Sequence, residues 1–91
     1  MAKIDQVKTE IIKKLKEKFG ESAVSDEYGG PMRFIVHVVT DGFKGKGEDE
    51  RQDEVWSFIH KEFNYSDFKY IGLVMTWTPE EKEAYDREQV A

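Results

Sequence analysis

FIVHVVTDGFKGKGEDERQDEV, from Phe34 to Val55, is the stretch that decides the fold. It opens on a β-branched run, Ile35 to Thr40 with Phe34 in front, which is the strongest strand signal in the chain. Gly42, Gly45 and Gly47 follow, where a positive φ or a close backbone approach is expected. An acidic helix start, Asp49 to Glu54, closes the stretch. A strand that feeds a helix through a short loop is the first half of a strand–helix–strand crossover, which makes the flanking strands parallel.

Working outward, the N-terminal segment carries Ile4, Val7, Ile11, Leu15 and Phe19 at three- and four-residue steps, with Ile12 beside them. This is one apolar face of a helix of roughly four turns. Asp5 is read as its N-cap and Gly20 as its stop. Its lysine-rich back reads as a solvated helix face. Ser22 to Tyr28 is a weak strand. Gly29-Gly30-Pro31 is a turn, so the strands on either side should form an antiparallel hairpin.

In the strand 33–40, Phe34, Val36 and Val38 share one face, while Ile35, His37 and Val39 share the other. His37 is expected to be half exposed. The second helix is expected from Asp49 to Phe63, with Asp49 and Gln52 as a capping box. Val55, Trp56, Ile59 and Phe63 form its apolar stripe, Phe58 lies at the margin, and His60 is read as a surface residue near its end. Asn64 to Asp67 is read as a loop and Phe68 to Trp77 as a third strand, with Gly72 inside it as a bulge or close contact. In that strand, alternation places Ile71, Leu73, Met75 and Trp77 on one face and Phe68, Tyr70, Val74 and Thr76 on the other. Thr78-Pro79-Glu80-Glu81 starts a last, short helix: threonine cap, proline first, glutamate third.

The expected fold is therefore α+β, in the order α-β-β-α-β with a short final α. A single domain of 91 residues holds a three-stranded mixed sheet with both long helices on one face. The other face has no obvious cover, which points to a partner or self-association surface, as a monomer or weak homodimer.

Composition narrows the function. The chain has no cysteine, so disulfides, thiolate metal sites and a cysteine nucleophile are absent. The two histidines and scattered carboxylates form no nucleophile–base pair, so no catalytic residue, metal site or cofactor is expected. No apolar run reaches the ~20 residues of a membrane span, and a cytoplasmic setting is expected. The net charge is −5, unfavourable for general binding to a phosphate backbone. One local feature speaks for nucleic acid. Gly42-Phe43-Lys44-Gly45 is formally a GxxG loop, and Lys44, Gly45, Lys46 and Arg51 could hold a phosphate near the helix N-terminus. Asp41, Glu48, Asp49, Glu50, Asp53 and Glu54 oppose it.

The central stretch resembles the BolA-like proteins. The matching residues are Phe34, Val36, Val38, Val39, Thr40, Phe43, Gly45, Arg51 and Val55, and Thr78-Pro79-Glu80-Glu81 resembles the family's closing motif. The element order resembles the family fold, a variant of the class II KH fold. The resemblance implies a non-enzymatic regulator or adapter that pairs with a monothiol glutaredoxin in iron–sulfur or stress regulation. It also implies an alternative, a DNA-binding transcriptional regulator. The partner region would be lined by Phe43, Arg51, Gln52 and Tyr70; the other reading, preferred for Phe43, is that Phe43 anchors the loop in the core, Arg51 pairs with a local acid and Tyr70 only packs. Gln52 and Tyr70 stand where the family's cluster-linked members carry a histidine, and the hairpin loop offers no ligand. Glutamine and tyrosine are poor substitutes for imidazole or thiolate, so cluster ligation in that manner is not expected.

Overall fold

The computed structural model describes residues 3–90. Helix α1 spans Lys3–Phe19 and buries Val7, Ile11, Ile12 and Leu15. Its first turn already contains Asp5, which is therefore helical and not the cap; Thr9 Oγ1 donates to the Asp5 carbonyl from one turn on. Gly20 ends the helix as expected. It adopts φ of +120°, and its N–H donates to the Lys16 carbonyl at 2.8 Å.

Strands β1 (Val24–Tyr28) and β2 (Phe34–Val39) form the expected antiparallel hairpin. Strand β3 (Ile71–Trp77) lies parallel to β2, giving a mixed sheet in the order β1-β2-β3. Between β2 and β3 the chain makes a short 3₁₀ turn at Asp41–Phe43, then α2 (Glu48–Glu62) and a one-turn helix, α3 (Tyr65–Phe68). The last helix, α4, spans Pro79–Val90. The fold class is α+β, with the strand and helix order that the hydrophobic periodicities predict.

The core lies between the sheet and the two long helices. Val24 of β1, Phe34, Val36 and Val38 of β2, and Ile71 and Val74 of β3 pack with Ile11 and Leu15 of α1 and Val55 and Ile59 of α2. The driving force is burial of apolar area, since both helices present a stripe and β2 presents every second residue.

Besides the Asp5 cap, the structure corrects the sequence reading in five places. Phe34 pairs with Ile71 but Ile35 pairs with Leu73, so Gly72 is the extra residue of a bulge. The bulge turns Ile71 into the core, although strict alternation places it with Leu73, Met75 and Trp77. The segment 65–68 is helical, neither loop nor strand start; Phe68 N–H donates to the Asn64 carbonyl at 3.1 Å. Helix α2 begins at Glu48 after Gly47, which supplies no side-chain cap, so the Asp49–Gln52 capping box does not form. Helix α4 is longer than expected, with Lys82–Asp86 and Arg87–Glu83 pairs along it. Finally, the outer sheet face is not bare. His37 is buried there, only 5% exposed, and Tyr85 of α4 packs on Trp77 with ring centroids 4.8 Å apart.

Candidate partner-binding surface

Ladder geometry explains how α2 sits against β3. In a parallel pair, alternate residues of one strand bond to the neighbour and the others point outward. Thr40 N–H donates to Trp77 O, so Trp77 faces β2 and Thr76 and Val74 turn their carbonyls to the free edge. Helix α2 supplies donors to both. Gln52 Nε2 donates to Val74 O at 2.7 Å and to Glu48 Oε1 at 2.9 Å. Arg51 reaches Thr76 O, while Thr76 Oγ1 donates to Glu48 Oε1 at 2.8 Å. The β3 edge is thereby closed to strand addition.

Arg51 is the hub of this region. Only 8% exposed, it donates through Nε to Lys46 O at 2.9 Å and forks onto Glu81 of α4, at 2.6 Å to Oε1 and 3.2 Å to Oε2. Beneath it lies Phe43, with no exposed surface, its ring centroid 5.8 Å from the guanidinium carbon. Glu81 also completes the predicted capping box. Its N–H donates to Thr78 Oγ1 at 3.2 Å, and its carboxylate accepts from Thr78 N–H at 2.9 Å. One glutamate thus fixes both the start of α4 and its attachment to α2.

The guanidinium, first, and the Thr78 N–H hold the Glu81 carboxyl below the usual carboxylate range. Stability from a carboxyl with a depressed folded pKa is fully present above its unfolded pKa, about 4.3 for glutamate. It is lost as pH falls through the folded value. Urea unfolding is therefore expected to show a loss of stability from about pH 5 downward. Glu81→Gln should be less stable at pH 7 and should show a shallower acid dependence; identical slopes for both proteins would remove Glu81 from the account.

The structure places the expected partner residues in different settings. Phe43 is core and Arg51 is buried and paired, so neither presents a free side chain. Gln52 is half-buried, its amide nitrogen committed to the β3 edge. Tyr70 lies at the other end of β3, beside the hairpin loop. Its carbonyl accepts from Phe34 N–H, Lys69 Nζ lies 5.3 Å from its ring centroid, and it borders an open cleft of about 230 Å³ with Pro31, Met32, Arg33 and Tyr65. The four residues do not converge on one site.

The cations of the glycine loop are also committed. Lys44 pairs with Glu80 at 3.2 Å and Asp41 at 3.4 Å, Lys46 with Glu54 at 2.6 Å, and Arg51 with Glu81. Gly45 adopts φ of +79°, which explains its glycine. The loop joins a strand to a helix through a 3₁₀ turn, unlike a clamp between two helices.

Two features were missed in sequence. Trp56, His60, Tyr65 and Phe68 form a chain of ring contacts at the end of α2 and on α3, with His60–Phe68 centroids 4.8 Å apart and Tyr65–Phe68 perpendicular at 5.5 Å. The i, i+4 spacing of Trp56 and His60 was legible; the α3 turn that brings Tyr65 and Phe68 to them was not. The second is the contact of His37 with Glu27 and Trp77, diagonal neighbours on the strands either side of it. Among the described residues, no group of three or more His, Cys, Asp or Glu is arranged to hold a metal ion, and no helix is long and apolar enough to cross a membrane. The chain matches no family model, no curated protein and no solved structure.

Proposed function

We propose that this protein is a non-enzymatic adapter of BolA-like type. It works in the cytoplasm through a protein partner such as a monothiol glutaredoxin, in iron–sulfur or stress regulation. It binds that partner by surface contact and supplies no cluster ligand. The observation that carries this reading is the α-β-β-α-β order with a parallel β2–β3 pair and both long helices on one sheet face. That is the arrangement the sequence resemblance implies. The polar groups of Arg51 and Gln52 nearest the would-be site serve the fold, which leaves surface complementarity to do the binding. Exposed Tyr65 and His60, with the half-buried rings of Trp56, Phe68 and Tyr70 beside them, offer area for it.

The alternative, nucleic-acid binding through Lys44, Gly45, Lys46 and Arg51, is disfavoured because each of these cations already faces a carboxylate. A phosphate would have to displace those partners against a chain of net charge −5.

Titration of the full chain into an apo monothiol glutaredoxin tests the first reading. A stable complex is expected, weakened by Tyr70→Ala. Reconstitution of that mixture with iron and sulfide should give no visible absorption band beyond that of the glutaredoxin alone. No complex would dismiss the proposed partner. A new charge-transfer band would mean that this chain does ligate the cluster. Retention on duplex DNA at physiological salt would favour the alternative.

A further inference from the structure

On the outer face of the sheet, both ring nitrogens of the buried His37 are occupied. Nε2 lies 2.7 Å from Glu27 Oε1, and Nδ1 lies 3.1 Å from Trp77 Nε1. An indole nitrogen can only donate. Nδ1 must therefore accept, and the single proton of the neutral ring sits on Nε2, donating to Glu27. The imidazole and indole planes are nearly parallel, within 13° of each other, with centroids 6.2 Å apart. The neutral ring is fully satisfied in one tautomer only.

A second proton can go only to Nδ1, where it would face the Trp77 N–H, donor against donor. Turning the ring over exchanges the nitrogens but does not help, because an imidazolium has no acceptor left. We infer that His37 is a proton-operated latch: its neutral form holds Trp77, and protonation releases Trp77 and the outer turns of α4 that rest on it. Trp77 is what those turns pack against, through Tyr85 and through Lys82, whose Nζ lies 5.9 Å from the indole centroid. The first turn of α4 is held separately by Arg51 and Glu81, so release is confined to the turns beyond Glu81.

From β1, Glu27 attracts positive charge at Nε2, and Ser25, directly opposite His37, is neutral. Strand β3 carries no titratable side chain. From α4, Lys82 is offset by Asp86 at 2.6 Å, and Tyr85 is the remaining titratable group against the indole.

NMR on the full ¹⁵N-labelled chain from pH 8 to 5 tests this. As the His37 ring takes up its proton, the Trp77 indole N–H should leave its hydrogen-bonded position. Amide protection factors at Tyr85 to Glu88 should fall about fivefold, the equivalent of one ordinary hydrogen bond. Those at Glu81 and Lys82 should hold. In His37→Gln the carboxamide supplies one acceptor and one donor, copies the neutral ring and should hold Trp77 throughout. Trp77→Phe lacks the donor, so α4 protection should no longer follow His37, which keeps the test open should His37→Gln fail to fold. The latch is overturned by a protonated His37 with Trp77 unmoved, or by a ring that stays neutral to pH 5. The same response in His37→Gln would also overturn it, by placing the titration on Glu27 or Asp86.

Discussion

Phe43→Ala is expected to lower folding stability by about 3–5 kcal/mol, the usual range for emptying a fully enclosed aromatic site. Phe43 has no exposed surface, contacts the Phe19 ring at a centroid distance of 6.1 Å and forms the floor under the Arg51 guanidinium. Collapse into the space is opposed because one wall is the paired Arg51 guanidinium. A domain of this size has about 5–15 kcal/mol in total, so the thermal midpoint should fall by about 15 °C or more. Phe43→Leu should cost much less, because it keeps most of the volume. A loss below about 1 kcal/mol for Phe43→Ala, read by urea unfolding, would mean that the ring is a surface residue free to meet a partner. That is the role the sequence resemblance implies for it.

Arg51→Ala should have the next largest effect, about 2 kcal/mol. The substitution removes the donor to the Lys46 and Thr76 carbonyls and the bidentate partner of Glu81. Removing one side of a buried pair costs more than the pair contributes, but Glu81 is 46% exposed and can recover water, which keeps the figure down. Arg51→Lys should recover little, because an ammonium cannot fork onto a carboxylate while also reaching a carbonyl through Nε. The loss should be local as well as global. Hydrogen exchange in the first turn of α4 should accelerate in Arg51→Ala and in Glu81→Gln, and the double variant should cost less than the two singles added. Full additivity would separate the two residues and leave α4 held by its cap and by Trp77 alone.

The two variants also bear on function. If the stability of Arg51→Ala falls while affinity for a glutaredoxin is retained, Arg51 is a clasp and the partner surface lies elsewhere. The Tyr70 cleft and the rings of Trp56, His60, Tyr65 and Phe68 are then where recognition should be sought. Gln52 sits between these possibilities, its nitrogen bonded to the β3 edge.

Much of this architecture could be read from residue order, for identifiable reasons. The α1 stripe, the β2 alternation and the Thr78–Glu81 cap are local patterns. Each is set by the geometry of a single element, so a short window contains all the information. The direction of β3 also followed, because a helical crossover makes its flanking strands parallel. Gly72 could be suspected as a bulge for the same reason: a glycine inside a strand has few other uses.

What the sequence alone determined, then, were the features set by a repeating pattern within one element: the two long helices, the three strands, the start of α4, their order and the α+β class. Only the tertiary structure decided which charges meet and which rings are enclosed. Arg51 finds Glu81 thirty residues away because α4 folds back after β3, and His37 finds Trp77 forty residues away because β2 and β3 lie side by side in parallel. No spacing in the chain encodes those distances. They follow from packing two helices on one face of a twisted sheet and a third against its end. That is why a loop whose letters suggest a phosphate clamp has its cations already held, and why a histidine alone in a strand is buried between two bonds.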